Sequence, residues 1–401
     1  MVSTPIWNEP IDWAHPFEEE ISFSTEIITS RDGSEQRIAQ RVNPRVTWRW
    51  RSMVTGSTFG KIDGLMAARQ AQEIALTDPF AEPVGIGLNG VGNIGDTSLT
   101  LPASGKPSWF AQGKHMVLVG ANGVAEIVQT TGNALATFYD LAQPLENYFP
   151  GGTSYLRDAV FGRIAGKSDL RAITDRTGTF EMEVELSPGR NVARNYGAAA
   201  TTYDGRELFD LSPNWAAGVP MGFEQMHEAH DFGRGVVDRT IRQDHTTRTF
   251  TLRHMIRDEA TRDLILGNFH RNKGRQKAFH VPLWPTTLFP ALPISAGVNV
   301  AFTGPSMVRN FGDQTMYRHV RIKTRSNGVL TREVTGLTLD GGDNSVMVLT
   351  SALPAISADD LISMHWLVRA RHESDRLSVD WITGDIAEVT MTLRTLKESD
   401  A

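Results

Sequence analysis

The stretch FSTEIITSRDGSEQRIAQRVNPRVTWRWRSM, residues 23–53, returns in altered form in the second half of the 401-residue chain. Phe23 and Gly33 answer to Phe223 and Gly233, a shift of 200. Thr47, Trp48, Trp50, Arg51 and Met53 answer to Thr249, Phe250, Leu252, Arg253 and Met255, a shift of 202. Further on, Asn122-Gly123-Val124 matches Asn327-Gly328-Val329, and Arg163, Ser168, Asp169 and Gly178 match Arg369, Ser374, Asp375 and Gly384. After one more inserted residue, Met182, Val184 and Leu186 meet Val389, Met391 and Leu393. Shifts that begin at 200 and grow by small insertions are the mark of a tandem duplication, and the fold must accommodate the same design twice.

Local pattern gives the secondary structure of that design. Phe23–Ile28 alternates and is β-branched, which predicts a strand, and Arg31-Asp32-Gly33 is a turn signal. Over Val46–Met53, Trp48 and Trp50 alternate with Arg49 and Arg51. On a strand both indoles lie on one face and both guanidinium groups on the other. Ser57 and Thr58 are expected to cap a helix with Phe59, Ile62, Leu65 and Met66 apolar. Its counterpart is expected over Asp258 to about Lys273, with Leu264, Ile265 and Phe269 inward and Gly274 as the stop. Each helix is followed by a strand, Glu73–Leu76 or Lys277–Val281, and a proline-rich exit. From Val84 to Leu186, and again from about Leu292 to Leu393, short strands alternate with turns, as in a small barrel or sandwich.

The predicted fold is therefore mainly β, a two-unit architecture duplicated in the order A-B-A′-B′. Unit A (1–84) is an N-terminal arm plus a β-sandwich-like body with one helix, and unit B (85–190) is a small β-barrel. Units A′ (191–293) and B′ (294–401) repeat them. The arm, with Ile6, Trp7, Trp13 and the acids Glu18 to Glu20, packs on its own domain or on a neighbour.

Several function classes lack the residues they need. The chain has no cysteine, which removes disulfides, thiolate metal sites and cysteine nucleophiles. A formal net charge of -6 shows no basic balance of the kind expected for a DNA-bound protein. The N-terminus has neither the basic start nor the apolar run of a signal peptide, and no run of about 18 apolar residues occurs, so no membrane span is expected.

GIGLNGVGNIG, residues 85–95, contains GxGxxG twice. A dinucleotide site needs those glycines between a strand and a helix. Here DTSLTLPASGKP follows, so a loop or linker is expected and no cofactor. His227 and His230, three apart, suit a helical metal site but fall on opposite faces of a strand. There is no GxSxG, and adjacent acids such as Asp359-Asp360 read as solvated charge. No catalytic, cofactor or metal residues are assigned. Arg37, Arg41, Arg45, Arg49 and Arg51 cluster beside aromatics. Single-strand nucleic-acid binding is one reading, and a subunit interface, where Arg and aromatics are enriched, is the favoured one. Glu18 to Glu20 and Glu35 are then candidates to meet that face on a neighbouring copy.

Thr25–Trp50 resembles the opening of distal tail and tail-tip (baseplate) structural proteins of long-tailed bacteriophages (siphoviruses) and gene-transfer agents. An extended segment leads into a DG/SG-x-E-x-R turn, filled here by Asp32, Gly33, Glu35 and Arg37, and then into the Arg-rich strand with Trp48 and Trp50. A companion pattern is met by Asn214, Trp215, Gly218, Asp231, Phe232, Gly233, Gly235, Gly274-Arg275 and Val281-Pro282-Leu283-Trp284. The resemblance implies a non-enzymatic virion protein, assembled in the host cytoplasm, that rings the end of the tail tube. Its implied partners are itself, the tail tube protein and the hub or receptor-binding proteins. The family's ring is usually a hexamer of single-copy chains. A trimer of duplicated chains would present six similar A units, and a hexamer stays open. Asp32, Gly33, Glu35, Arg37, Trp48, Arg49, Trp50, Arg51, Trp215, Gly233, Arg253 and Trp284 are the motif and interface candidates. The alternative is a carbohydrate-binding adhesin module using Trp109, Phe110, Tyr148, Phe149 or Tyr155.

Overall fold

The computed structural model describes residues 4–397 except 31, 70–71, 87–91, 102–106, 108, 112, 122, 136–137, 167, 189–199, 226, 232, 234, 236, 242–245 and 313–315. The chain is mainly β, with largely antiparallel sheets and few helices. It divides into two units that exchange segments of sequence. The first comprises Met1–Ile21, Arg45–Asn195 and Ser378–Ala387; the second comprises Ser22–Pro44, Tyr196–Leu377 and Glu388–Ala401.

In the first unit, the Arg45–Thr55 strand runs antiparallel to Thr177–Leu186 from Thr55↔Thr177 to Thr47↔Glu185. Strands of the expected A and B segments thus share one sheet. Trp48 and Trp50 point into the core, at 1% and 5% exposure, while Arg49 faces out. The expected alternation is the one observed.

Tyr155–Ile164 is shared by two layers. Its first half pairs with His115–Val119 and its second half with Glu73–Thr77. His115–Val119 is buried on both faces, so successive side chains enter different cores. Met116 and Leu118 join Leu99, Val128, Phe149 and Leu156, whereas Val117 and Val119 join Ala75, Ala159 and Phe161. The N-terminal arm covers its own unit: Ile6 and Trp7 pair in parallel with Ala75 and Leu76, and Trp7 is buried.

In the second unit, the twelve-residue Leu361–His372 strand is the hub, pairing with Phe279–Thr287, His319–Thr324 and Ala387–Thr395. A second set, Gly297–Phe302, Gly328–Leu339 and Ser345–Leu353, pairs antiparallel beside it. The Glu259–Asn272 helix starts at Asp258, whose carboxylate accepts from the Thr261 amide at 2.7 Å, and ends on Lys273 in the left-handed region. Ile265, Leu266 and Phe269 are its inward residues. Leu264, expected inward, is 48% exposed, because a step of about 100° per residue turns it off the face that Ile265 and Phe269 share. In the first unit the helix spans Gly56–Arg69, so Ser57 and Thr58 lie in its first turn instead of capping it.

The succession of hairpin, long strand, fourteen-residue helix and strand occurs twice. In the first hairpin Thr25–Thr29 pairs with Glu35–Ala39, from Thr25↔Ala39 to Thr29↔Glu35. In the second, His227–Asp231 pairs with Val237–Ile241, from His227↔Ile241 to Asp231↔Val237. Both connections are five residues long, and the registers are related by 202, not by the 200 that the Gly33/Gly233 match suggests. At 202, Gly33 corresponds to Gly235, and both have positive φ, 84° and 76°. Gly233 has positive φ as well, 68°, so it is the strand register that gives this correspondence. Among the described residues, no helix is long and apolar enough to cross a membrane.

Candidate functional site

The residues of the DG-x-E-x-R motif build a docking contact. At the tip of the first hairpin the Asp32 carboxylate accepts from the hydroxyls of Ser30 and Ser34 and from the Ser34 amide. Those hydrogen bonds, Ser30's first, hold its pKa far below the usual carboxylate range, and Lys397 stands 3.6 Å away. Gly33 supplies the positive φ of the turn. Glu35 then faces inward, its side chain 6% exposed, and both its oxygens accept from Arg371 at 2.8 Å in a two-pronged pair. Burial pushes the Glu35 carboxyl up, but the Arg371 hydrogen bonds and charge, with Arg37 and Arg394, bring it down overall.

The root of the hairpin is fixed by Asp375. Its carboxylate accepts from the Thr25 amide (2.6 Å), the Thr25 hydroxyl (3.0 Å) and the Arg275 amide (2.9 Å). Phe23 packs on Phe269 at 5.7 Å between ring centroids. Thr25, Ile27, Glu35, Arg37 and Ala39 are the half-buried face of the hairpin, and Glu26, Ile28, Gln36 and Ile38 are its open face.

The basic face of Arg45–Thr55 is met within the chain. Arg49 binds Glu181 at 2.8 Å and lies 4.0 Å from Glu18; Arg45 reaches Glu185, and Arg51 reaches Asp12. Glu18 and Glu35, considered above for a neighbour's surface, therefore have partners of their own. The third acid of that group is a core residue. Glu19 is 1% exposed and accepts from the indoles of Trp48 and Trp381, each at 3.1 Å. Phe17–Ser22 is a strand with Phe17, Glu19 and Ile21 inward, so alternation around FEEEI was the signal for it. Trp50 donates to Ser52 and stacks on Phe17.

The remaining candidates do not converge. Trp215, 52% exposed, sits in a single 3-10 turn capped by Asn214. Arg253 is exposed and its carbonyl accepts from the Asn214 amide. Trp284 is buried beneath the Arg321 guanidinium. Gly233 lies in the second hairpin turn, where its amide donates to Asp231.

No family model matches the chain, and no curated protein matches it.

The glycine stretch leads into a strand, Ser98–Thr100, and Gly92 bridges to Phe149. Gly87 and Gly90 lie outside the described residues. His227 and His230 fall on a strand, and among the described residues no group of three or more acids and histidines is placed to hold a metal ion. Of the aromatics considered for sugar binding, Phe149 is fully buried in the core, and Trp109 and Phe110 pack against it. Tyr148 is 50% exposed. Tyr155 lines a cleft of about 600 Å³ in the first unit with Trp7, Trp13, Trp50 and Arg157.

Proposed function

We propose that the chain is a tandemly duplicated structural component of a bacteriophage tail tip, of the distal tail type. In this reading it assembles into a ring that joins the tail tube to the hub and receptor-binding proteins, and it carries out no catalytic step. The observation that supports it best is the use made of the motif. Asp32, Gly33, Glu35 and Arg37, the residues of the resemblance, shape and seat a projecting hairpin through the buried Glu35–Arg371 pair. Such residues serve assembly by surface complementarity, with aromatic and Arg anchors at the contacts.

The test is the mass of the purified protein in solution, followed by imaging of any ring and of its mixture with a tail tube protein. A trimer with pseudo-six-fold outline that caps the tube supports an adapter between six-fold and three-fold parts. A hexamer supports the tail-tip reading without the adapter. A chain that forms no ring and ignores the tube removes it.

One observation favours a second reading. The cleft beside Tyr155 brings Trp13 together with Arg157, and sugars stack on exposed aromatic faces. Binding on a glycan array that is lost in Tyr155→Ala would support a carbohydrate-binding role.

A further inference from the structure

We infer that the cleft beside Tyr155 takes an acidic sugar, a hexuronic acid residue whose carboxylate is held by Arg157. The inference rests on the carbohydrate-binding reading of that cleft and deepens it by naming the charge of the ligand. Three observations carry it.

The cleft is lined by two residues with unspent donors. The Arg157 Nε–H and the Trp7 Nε1–H are buried and meet no acceptor among the described residues, and both side chains line the cleft. Trp7 is only 3% exposed, so bulk water does not serve its N–H. Buried donors are paired in the great majority of cases, so two orphans on one cleft call for an acceptor from outside the chain.

The charge of the cleft is uncompensated. Its charged lining residues are Glu9 and Arg157. Glu9 is balanced by Lys61 at 3.2 Å, whereas Arg157 has no ion pair among the described residues. Tyr155 and Arg157 stand two apart on one strand, hence on one face of it, and the guanidinium carbon lies 5.6 Å from the centre of the Tyr155 ring. That contact holds the planar fork in place for two parallel hydrogen bonds to an anion. A carboxylate, with one charge and two oxygens, matches a single guanidinium. A phosphate monoester, with nearly two charges and three free oxygens, exceeds it.

The remaining lining suits the body of a sugar. Trp13 and Tyr155 are partly exposed and offer ring faces to the C–H face of a pyranose. Glu9 and the Thr77 hydroxyl, which makes no hydrogen bond among the described residues, offer acceptors for ring hydroxyls. A cleft of about 600 Å³ is of the size that small ligands occupy.

The experiment titrates the full chain by calorimetry and tryptophan fluorescence. The probes are uronate trimers of the gluco, galacto and manno series, their neutral counterparts, and galacturonate against galactose 6-phosphate. At least one uronate trimer should bind about tenfold or more tightly than its neutral counterpart, the effect of a hydrogen-bonded charge. Arg157→Gln should bring that trimer down to the neutral level. Trp7→Phe, which keeps a ring and removes the N–H, should weaken it in the same direction. The comparison of ligands on the parent chain stands whether or not either variant folds. Neutral and acidic trimers bound equally, with binding lost in Tyr155→Ala, overturn the inference and keep the carbohydrate reading. Tighter binding of galactose 6-phosphate than of galacturonate overturns the carboxylate and keeps a sugar site. A uronate preference that survives Arg157→Gln in a folded protein overturns the assignment to this cleft. If none of these sugars binds, the inference and the carbohydrate reading fall together, and the ring reading is left to the mass measurement.

Discussion

Trp48 and Trp381 donate their indole N–H groups to opposite oxygens of one buried carboxylate, Glu19, each at 3.1 Å. Three strands that are far apart in sequence are pinned at this point inside the first unit, since Glu19, Trp48 and Trp381 each belong to a different one. Glu19→Ala strands two buried donors and should cost about 2–4 kcal/mol. Glu19→Gln keeps one acceptor and sets an NH₂ against the second indole, so about half that loss is expected. Urea denaturation of the three proteins measures both.

The Glu35–Arg371 pair gives an acid-sensitive contribution. Its folded-state carboxyl lies below the ordinary glutamate range, so the pair's contribution is complete above about pH 4.5 and is lost as pH falls through the folded value. Glu35→Gln should flatten that part of the stability–pH curve. At neutral pH it should cost about 1–3 kcal/mol, because buried Arg371 loses its two-pronged partner but keeps Glu373 at 2.9 Å, and the first hairpin should become susceptible to proteolysis.

Buried imidazoles act in a higher window. Burial takes His254 down to about 4; burial with Arg371 nearby takes His372 to about 3. Burial, followed by His319 and Arg369, takes His280 to about 3, against the attraction of Asp204. Between these values and the ordinary 6.5 the unfolded chain binds protons that the folded chain does not. Stability therefore falls as pH drops below 6.5, by about 1.4 kcal/mol per pH unit for each fully buried histidine. Unfolding measured at pH 7, 6 and 5 should show this slope, and His254→Phe should lower it by one proton.

Gly274 and Gly235 both have positive φ, 62° and 76°, but only the first is crowded. A Cβ on Gly274 would lie 2.6 Å from the Asp375 carboxylate and push it off the Thr25 and Arg275 amides. Gly274→Ala should cost about 2–4 kcal/mol, combining backbone strain with the displaced acid. Gly235→Ala meets open space and should cost about 1 kcal/mol of strain alone. Melting temperatures of the two variants give the comparison.

Arg49 and Glu181 make a well-formed pair at 2.8 Å, yet both side chains are close to half exposed. Arg49→Ala should change stability by less than about 1 kcal/mol, and salt should erase the difference. A large effect would mean that this face is buried against something in solution.

Much of the local structure was legible because it depends on near neighbours. Alternation placed Trp48 and Trp50 inward, and Asp258 and Gly274 marked the ends of a helix. The Phe17–Ser22 strand could be read the same way, although its three glutamates invited a reading as one solvated run. Leu264 was misplaced because two adjacent leucine-type residues on a helix differ by about 100°, and only packing chooses between them.

The amino-acid sequence by itself determined the β-rich character, the strand faces and the limits of the second helix, because periods of 2 and 3.6 residues and glycine at turns act within a few residues. Tertiary structure alone decided which charges meet. Glu35 had several arginines within reach of a sequence argument, and its partner is Arg371, at the far end of the chain. It also decided that Glu19 is an interior acceptor and that Phe149 is core. A side chain's nearest neighbours in sequence fix which face it takes, but the group opposite that face is supplied by topology, from a strand whose own sequence carries no mark of the pairing.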